Sequence, residues 1–163
     1  MNDGAHVHIR VVFVCTGNIC RSPTAEAVLR QRVHDAGLSE VIEVGSAGTG
    51  GWHVGDNADR RTLQTLRSRG YDLLHSARQF APTWFDEHEL VIALDSTHLT
   101  ALRRMRPGSD VRLLRDWDPE GPGEVPDPYY GDQEGFEEVL DMVERSCVGL
   151  LEELRGRLDE ASP

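Results

Sequence analysis

Lysine is missing from this chain: all 17 basic residues are arginines, and 28 acidic residues set the formal charge at −11. That balance argues against a general affinity for nucleic acid or anionic lipid, so any anionic ligand has to be held at a local site. Long apolar runs are missing too. None approaches the roughly 20 residues of a membrane span, and residues 1–10, with His6, His8 and Arg10, lack the apolar region of a secretory signal. The expectation is a cytoplasmic protein with no membrane partner, export without a signal peptide being left open. Cysteine is scarce. Cys15, Cys20 and Cys147 form an odd set without a C-x-x-C pair, which disfavours a zinc site or a disulfide framework and suits reduced thiols. No cofactor is expected.

What is present suits a single globular domain, residues 1–163. With 39% hydrophobic and 28% charged residues, a chain of this length buries roughly 70% of its unfolded surface without a metal or disulfide. The charge is uneven: residues 1–115 hold 14 arginines against 13 acids, and residues 116–163 hold 3 against 15. The acidic excess therefore belongs to the last third.

Residues 7–14 are apolar and β-branched almost without interruption, the pattern of a strand covered on both faces. A loop, residues 15–22, follows, and then a helix with Pro23 at its first position and Ala25, Val28, Leu29, Val33 and Ala36 on one face up to Gly37. Residues 41–44 predict a short second strand, 45–51 a loose glycine-rich stretch, 59–69 a helix ended by Gly70, and 90–94 a third buried strand. Residues 97–104 predict a helix and 111–114 a fourth strand. The proline-rich residues 116–132 read as a long surface loop. The last helix carries one apolar stripe: Phe136, Val139, Leu140, Val143, Cys147, Leu150, Leu151, Leu154 and Leu158. Alternation of this kind implies an α/β fold, a four-stranded parallel sheet with helices on both faces, and ligands at the carboxyl ends of the strands.

The segment after the first strand lies at that end. It reads Cys15-Thr16-Gly17-Asn18-Ile19-Cys20-Arg21-Ser22, a tight loop opening directly into a helix, where clustered amides and the positive helix end suit a tetrahedral dianion. Arg21 adds a planar fork for two phosphate oxygens. A sulfur facing that field is favoured as a thiolate, which makes Cys15 a candidate nucleophile. Ser22 is placed to donate to that sulfur, and Asn18 tolerates a left-handed backbone and holds the loop's shape. Spacing alone carries little weight, since this composition yields a C-x5-R match by chance about 0.3 times; the placement between a buried strand and a helix is what gives it meaning.

This loop resembles the signature of the low molecular weight protein tyrosine phosphatases. A second motif of that family, an Asp-Pro near the C-terminus, is matched by Asp127-Pro128-Tyr129-Tyr130-Gly131-Asp132, and Ser46-Ala47-Gly48-Thr49, Trp52 and His75-Ser76-Ala77-Arg78-Gln79 match in between. The resemblance covers nearly the whole chain and implies a phosphatase loop after the first strand. It also implies hydrolysis of protein phosphotyrosine through a cysteinyl phosphate, without a metal, and Asp127 as general acid and base. Trp52, His53, Tyr129 and Tyr130 become walls for the phenyl ring, and His75 a support for Asn18. Cys20 becomes a thiol able to trap oxidised Cys15. Ile19 resembles the tyrosine-directed branch, since the related arginine phosphatases have Thr there. The implied partners are tyrosine-phosphorylated proteins and a cognate tyrosine kinase, with the phosphatase acting as a monomer.

Two other readings stay open at this point. An arsenate reductase on the same scaffold needs resolving cysteines in mid-chain, and none lies between Cys20 and Cys147. A noncatalytic phosphate-binding module needs neither nucleophile nor acid. Asp116, Asp118 and Glu120 imitate the start of a calcium loop, but Pro119 and Pro122 interrupt it.

Overall fold

The computed structural model describes residues 8–161. Val7, read above as the start of the first strand, lies outside them. Four parallel strands, β1 (Ile9–Cys15), β2 (Ile42–Gly48), β3 (Leu90–Ala93) and β4 (Val111–Leu113), form one sheet in the order β2-β1-β3-β4. The chain leaves β1 for one neighbour and later returns to the other, so strand order reverses between β1 and β3. That crevice is where ligands bind in sheets of this type.

Strand alternation splits the core in two. Ile9, Val11, Phe13 and Cys15 point to the face covered by α1 (Arg21–Asp35), α2 (Arg60–Ser68) and α5 (Gln133–Ala161). Val12 and Val14 point the other way, toward Leu102 of α4 (Ser96–Met105) and toward Phe80, with Trp84 and Phe85 of the short α3 (Trp84–Glu87) packed against them. The stripe foreseen on the last helix is the inner face of α5: Phe136, Val139, Leu140, Val143, Cys147, Leu150 and Leu154 are buried. Helices on both faces of an all-parallel sheet are thus what its doubly apolar strands require.

Three expectations need correction. Helix α1 starts at Arg21, not at Pro23, because Cys20 already caps it and Thr24 N–H donates to the Cys20 carbonyl at 3.2 Å. Pro23 is still among the first four positions, where a missing N–H costs nothing. A 3-10 turn at Leu114–Trp117 stands where a strand end and the start of a loop were expected, and the short helix α3 had no counterpart in the sequence reading; four residues are too few for a period to register. The third correction concerns Gly45–Gly48, expected to be loose. They instead extend β2, with Val12 opposite Gly45 and Cys15 opposite Gly48. Glycine is needed at the last position because a Cβ on Gly48 would lie 2.7 Å from the Thr16 carbonyl oxygen and 3.1 Å from the Gly17 carbonyl carbon. The second strand is therefore in backbone contact with the loop that follows the first.

Gly48→Ala should lower the free energy of unfolding by about 1–3 kcal/mol, the usual cost of overpacking against backbone. Gly156→Ala, in the interior of α5 with open space around it, should raise it by about 0.5–1 kcal/mol. Urea denaturation of both variants checks this, and equal midpoints would contradict it.

Candidate active site

The loop after β1 is held inside out. The carbonyls of Cys15, Thr16 and Ile19 accept bonds from the N–H groups of Thr49, Gly50 and Asp59, at 2.8, 3.0 and 2.8 Å. The Asn18 carbonyl accepts from His75 Nε2 at 2.6 Å, and the Cys20 carbonyl from the Thr24 hydroxyl at 2.8 Å. In a trans peptide the following N–H points opposite to the carbonyl. Every carbonyl fastened to the outside therefore turns an amide, those of Thr16, Gly17, Ile19, Cys20 and Arg21, toward the inside. The start of α1 adds its positive end.

Asn18 makes this shape possible. Its φ is +58°, a left-handed conformation that asparagine tolerates better than most residues. The buried amide then braces three segments at once: Nδ2 donates to the hydroxyls of Ser22 and Ser46 at 2.9 Å each, and Oδ1 accepts from Arg78 N–H at 2.9 Å. Ser22 Oγ in turn lies 2.9 Å from Cys15 Sγ. The sulfur sits at the base of the loop, nearly buried.

Arg21 is buried, and its donors are divided. Nη1 donates to Asp95 Oδ2 at 2.7 Å and to the Val125 carbonyl at 2.9 Å; Nη2 lies 3.4 Å from His98 Nε2 and 3.8 Å from Asp127 Oδ2. His98 Nε2 is also 2.8 Å from Thr16 Oγ1. Burial, with the Arg21 charge second, pushes the His98 imidazole from the usual 6.5 down to about 4, against the pull of Asp95, Asp127 and Glu124. Burial alone would raise the Asp95 carboxyl, yet the His98 backbone N–H and the Arg21 guanidinium hold it below the usual range.

The long loop brings the carboxylate to the cradle. Asp127 Oδ1 accepts from Tyr129 N–H at 3.1 Å, and its side chain is 48% exposed, so it stays open to a ligand and to water. The loop is anchored behind it. Val125 is fully buried and its N–H donates to the Leu94 carbonyl at 2.9 Å. Asp118 takes Arg145 and Arg115 on its two oxygens; although burial opposes ionisation, Arg145, the Glu120 N–H and Arg115 hold this carboxyl down at about 2. An Asp so committed is a latch between the loop and α5. Around the mouth, Trp52 is 76% and Tyr130 92% exposed, as befits walls rather than core. Tyr129 packs edge-on against Tyr130 and lies under the Arg61 guanidinium from α2. His53 meets Gly17, where a Cβ would lie 3.0 Å from the imidazole.

One pocket of about 220 Å³ gathers Cys15, Thr16, Gly17, Ile19, Cys20, Arg21, Trp52, His53, Asp127, Tyr129 and Tyr130. Of the residues singled out from sequence, Asn18, Ser22 and His75 stand behind it as supports. Cys20 lines the pocket, but burial, with Asp59 second, pushes its thiol up to about 12, so at neutral pH it is a protonated wall. Asp95, His98, Val125 and Ser46 form part of the machinery without having been assigned a role. The signal for two of them was available: Asp95 follows β3 at the carboxyl end of the strand beside β1, and His98 lies one helical turn beyond.

Amides around a sulfur, with an arginine and a carboxylate above it, make a cradle of a shape and charge that suit a tetrahedral oxyanion. The sequence profile described as low molecular weight phosphotyrosine protein phosphatase matches residues 10–160. A low molecular weight protein-tyrosine-phosphatase from Streptomyces coelicolor is 56% identical over 157 residues, 92% of this chain and 96% of that protein. Among solved structures, a protein tyrosine phosphatase from Entamoeba histolytica superposes with a TM-score of 0.88 at 34% identity, over 91% of this chain and 97% of that one. A Drosophila arginine phosphatase follows at 0.82 and 29%, over 90% and 98%. The chain belongs to the low molecular weight phosphotyrosine protein phosphatase family and is a phosphatase.

A histidine that titrates near 6.5 unfolded and near 4 folded binds fewer protons in the native state across that interval, so stability falls as pH drops through it. His98→Gln should remove this contribution and flatten the dependence of unfolding free energy on pH between about 6.5 and 4. A slope equal to that of the unsubstituted protein would contradict it.

Proposed function

We propose that the protein hydrolyses phosphotyrosine in phosphoproteins, with Cys15 as nucleophile, Arg21 as phosphate binder and Asp127 as general acid and base. The observation that carries this reading is the convergence of those three side chains on one pocket whose floor is a ring of inward amides. The amide field and Arg21 favour the anionic sulfur and match the spread equatorial charge of a loose phosphoryl transition state.

In the first displacement the Cys15 sulfur forms a bond to phosphorus as the bond to the phenolic oxygen breaks. Asp127 delivers its proton to that oxygen, and tyrosine leaves. In the second, water attacks phosphorus, Asp127 takes the water's proton, and the S–P bond breaks to release inorganic phosphate. The Ser22 hydroxyl, 2.9 Å from the sulfur, donates to the thiolate as it departs. Thr16, Gly17, Asn18, Ile19, Cys20 and His75 act in this account through the loop's shape and lining. The depth suits an aryl ester: Trp52, Tyr129 and Tyr130 offer ring faces and edges, each aromatic contact adding about 0.5–1.5 kcal/mol beyond area burial. We also take the whole chain, residues 1–163, as one catalytic domain.

Arginine phosphatases share this fold, so phosphoarginine is the second reading. Ile19 disfavours it, since its apolar side chain lines the pocket and offers nothing to a guanidinium. A phosphotyrosine peptide should accordingly be hydrolysed with a higher kcat/KM than a phosphoarginine peptide of the same sequence, and the reverse order would favour the second reading.

Cys15→Ser should abolish turnover of p-nitrophenyl phosphate, measured without added metal. Asp127→Ala should reduce kcat by about 10²–10⁴-fold for poor leaving groups, the usual worth of a positioned acid, and less for p-nitrophenol, which leaves without help. Undiminished activity in Cys15→Ser would end this mechanism.

A further inference from the structure

The five N–H donors of Arg21 cannot all serve a ligand. Both Nη1 donors are taken by Asp95 Oδ2 and the Val125 carbonyl, and one Nη2 donor faces His98 Nε2 at 3.4 Å. Two are left, Nε–H and the second Nη2–H. These lie side by side on one edge of the guanidinium plane, the fork that matches two oxygens of a phosphate. Asp127 Oδ2 is 3.8 Å from Nη2. The plane of the fork is thus decided by the partners on the other edges, and His98 is one of them.

An arginine has no acceptor, so contact with Arg21 Nη2 requires His98 Nε2 to offer a lone pair. The same atom is 2.8 Å from the Thr16 hydroxyl, which is then also a donor to it. With Nε2 unprotonated, the ring proton of the neutral imidazole sits on Nδ1, which lies 3.2 Å from Asp95 Oδ1 but is not aligned for a hydrogen bond, so the attraction there is electrostatic. Asp95 in turn accepts the His98 backbone N–H at 3.0 Å and caps α4. His98 is 1% exposed and lies at the meeting of the β1 loop, α1 and α4. The charged groups around it are Arg21 from α1, Asp95 from the start of α4, and Asp127 and Glu124 from the long loop. The chain Thr16, His98, Asp95 has the order of a nucleophilic triad, but an imidazole held this far toward neutrality is a poor base, and Cys15 already occupies the floor of the pocket.

We propose that His98 is a positioning residue whose neutral Nε2 accepts from Arg21 and Thr16 at once, fixing the guanidinium so that its Nε–Nη2 edge faces the bound phosphoryl group. The inference rests on Arg21 being the phosphate binder. Gln at this position keeps an acceptor at about the same reach, while Leu fills the space without one.

The test uses the full chain and two probes: inorganic phosphate, read by calorimetry or as a competitive inhibitor, and p-nitrophenyl phosphate. His98→Leu should weaken phosphate binding and lower kcat/KM by about 10–100-fold, with kcat falling as well as KM rising, because the fork serves the transition state. His98→Gln should recover activity to within about threefold of the unsubstituted protein. In an Arg21→Lys background, which keeps the charge but loses the fork, His98→Leu should cost less than about twofold more, as coupled residues require. The inference is overturned if His98→Leu stays within about twofold of the unsubstituted protein, if Gln is as impaired as Leu, or if the two losses multiply. Should His98→Leu not fold, long-range nitrogen NMR of the unsubstituted protein decides: the Nδ1–H tautomer at neutral pH supports the inference and the Nε2–H tautomer overturns it. If the protein binds phosphate but turns over no ester, the phosphatase mechanism fails while the binding arm still tests His98.

Discussion

A chain segment that is to hold a phosphate dianion must turn several amides to one side, and it can do so only if the matching carbonyls find donors on the other. Here that condition is met by a ring of outside partners: Thr49, Gly50, Asp59, His75 and Thr24. They come from four neighbours of the loop: the end of β2, which supplies both Thr49 and Gly50, the cap of α2, the segment of His75 and the first turn of α1. The fold is thus arranged around a local electrostatic demand. The glycine at the end of β2 and the left-handed Asn18 are the two backbone concessions that let the ring close.

Arg21 shows the same economy from the side-chain end. It is buried, so the charge needs partners inside the protein, and three of its five donors have them. Asp95 supplies charge, the Val125 carbonyl ties the long loop to the cradle, and His98 supplies a neutral acceptor. One cation therefore links the amide cradle to the loop that carries Asp127. A second cation pair on Asp118 fastens the other end of that loop to α5. The carboxylate reaches the pocket on a segment pinned at both ends, while Asp127 itself keeps its exposure.

Much of this was legible in the sequence because strong local signals coincided with global ones. The β-branched run before Cys15 and the stripe on α5 point to a parallel α/β sheet, and the placement of the eight-residue loop between strand and helix points to a candidate anion site at the end of β1. Residues 45–48 were misread because glycines weaken a strand signal and their reason, backbone contact with Thr16 and Gly17, is tertiary. Asp95 and His98 had only a positional signal, just past the end of β3, with no period or motif to add to it. Their meaning comes from β3 lying beside β1, and an Asp-x-x-His at a helix start is otherwise an ordinary cap. Cys20 was legible as a neighbour of Cys15 but not in its charge state, which depends on burial and on Asp59.

In the mechanism we propose, phosphorus passes through the sulfur at the base of the ring. Acid quenching during turnover of an aryl phosphate, followed by mass spectrometry of the peptide that spans residues 15–21, tests it most directly. The account predicts a phosphoryl adduct on Cys15 that accumulates when water's attack is slowed by Asp127→Ala. Turnover with no adduct on that peptide, or with the phosphoryl group on a histidine, would contradict it.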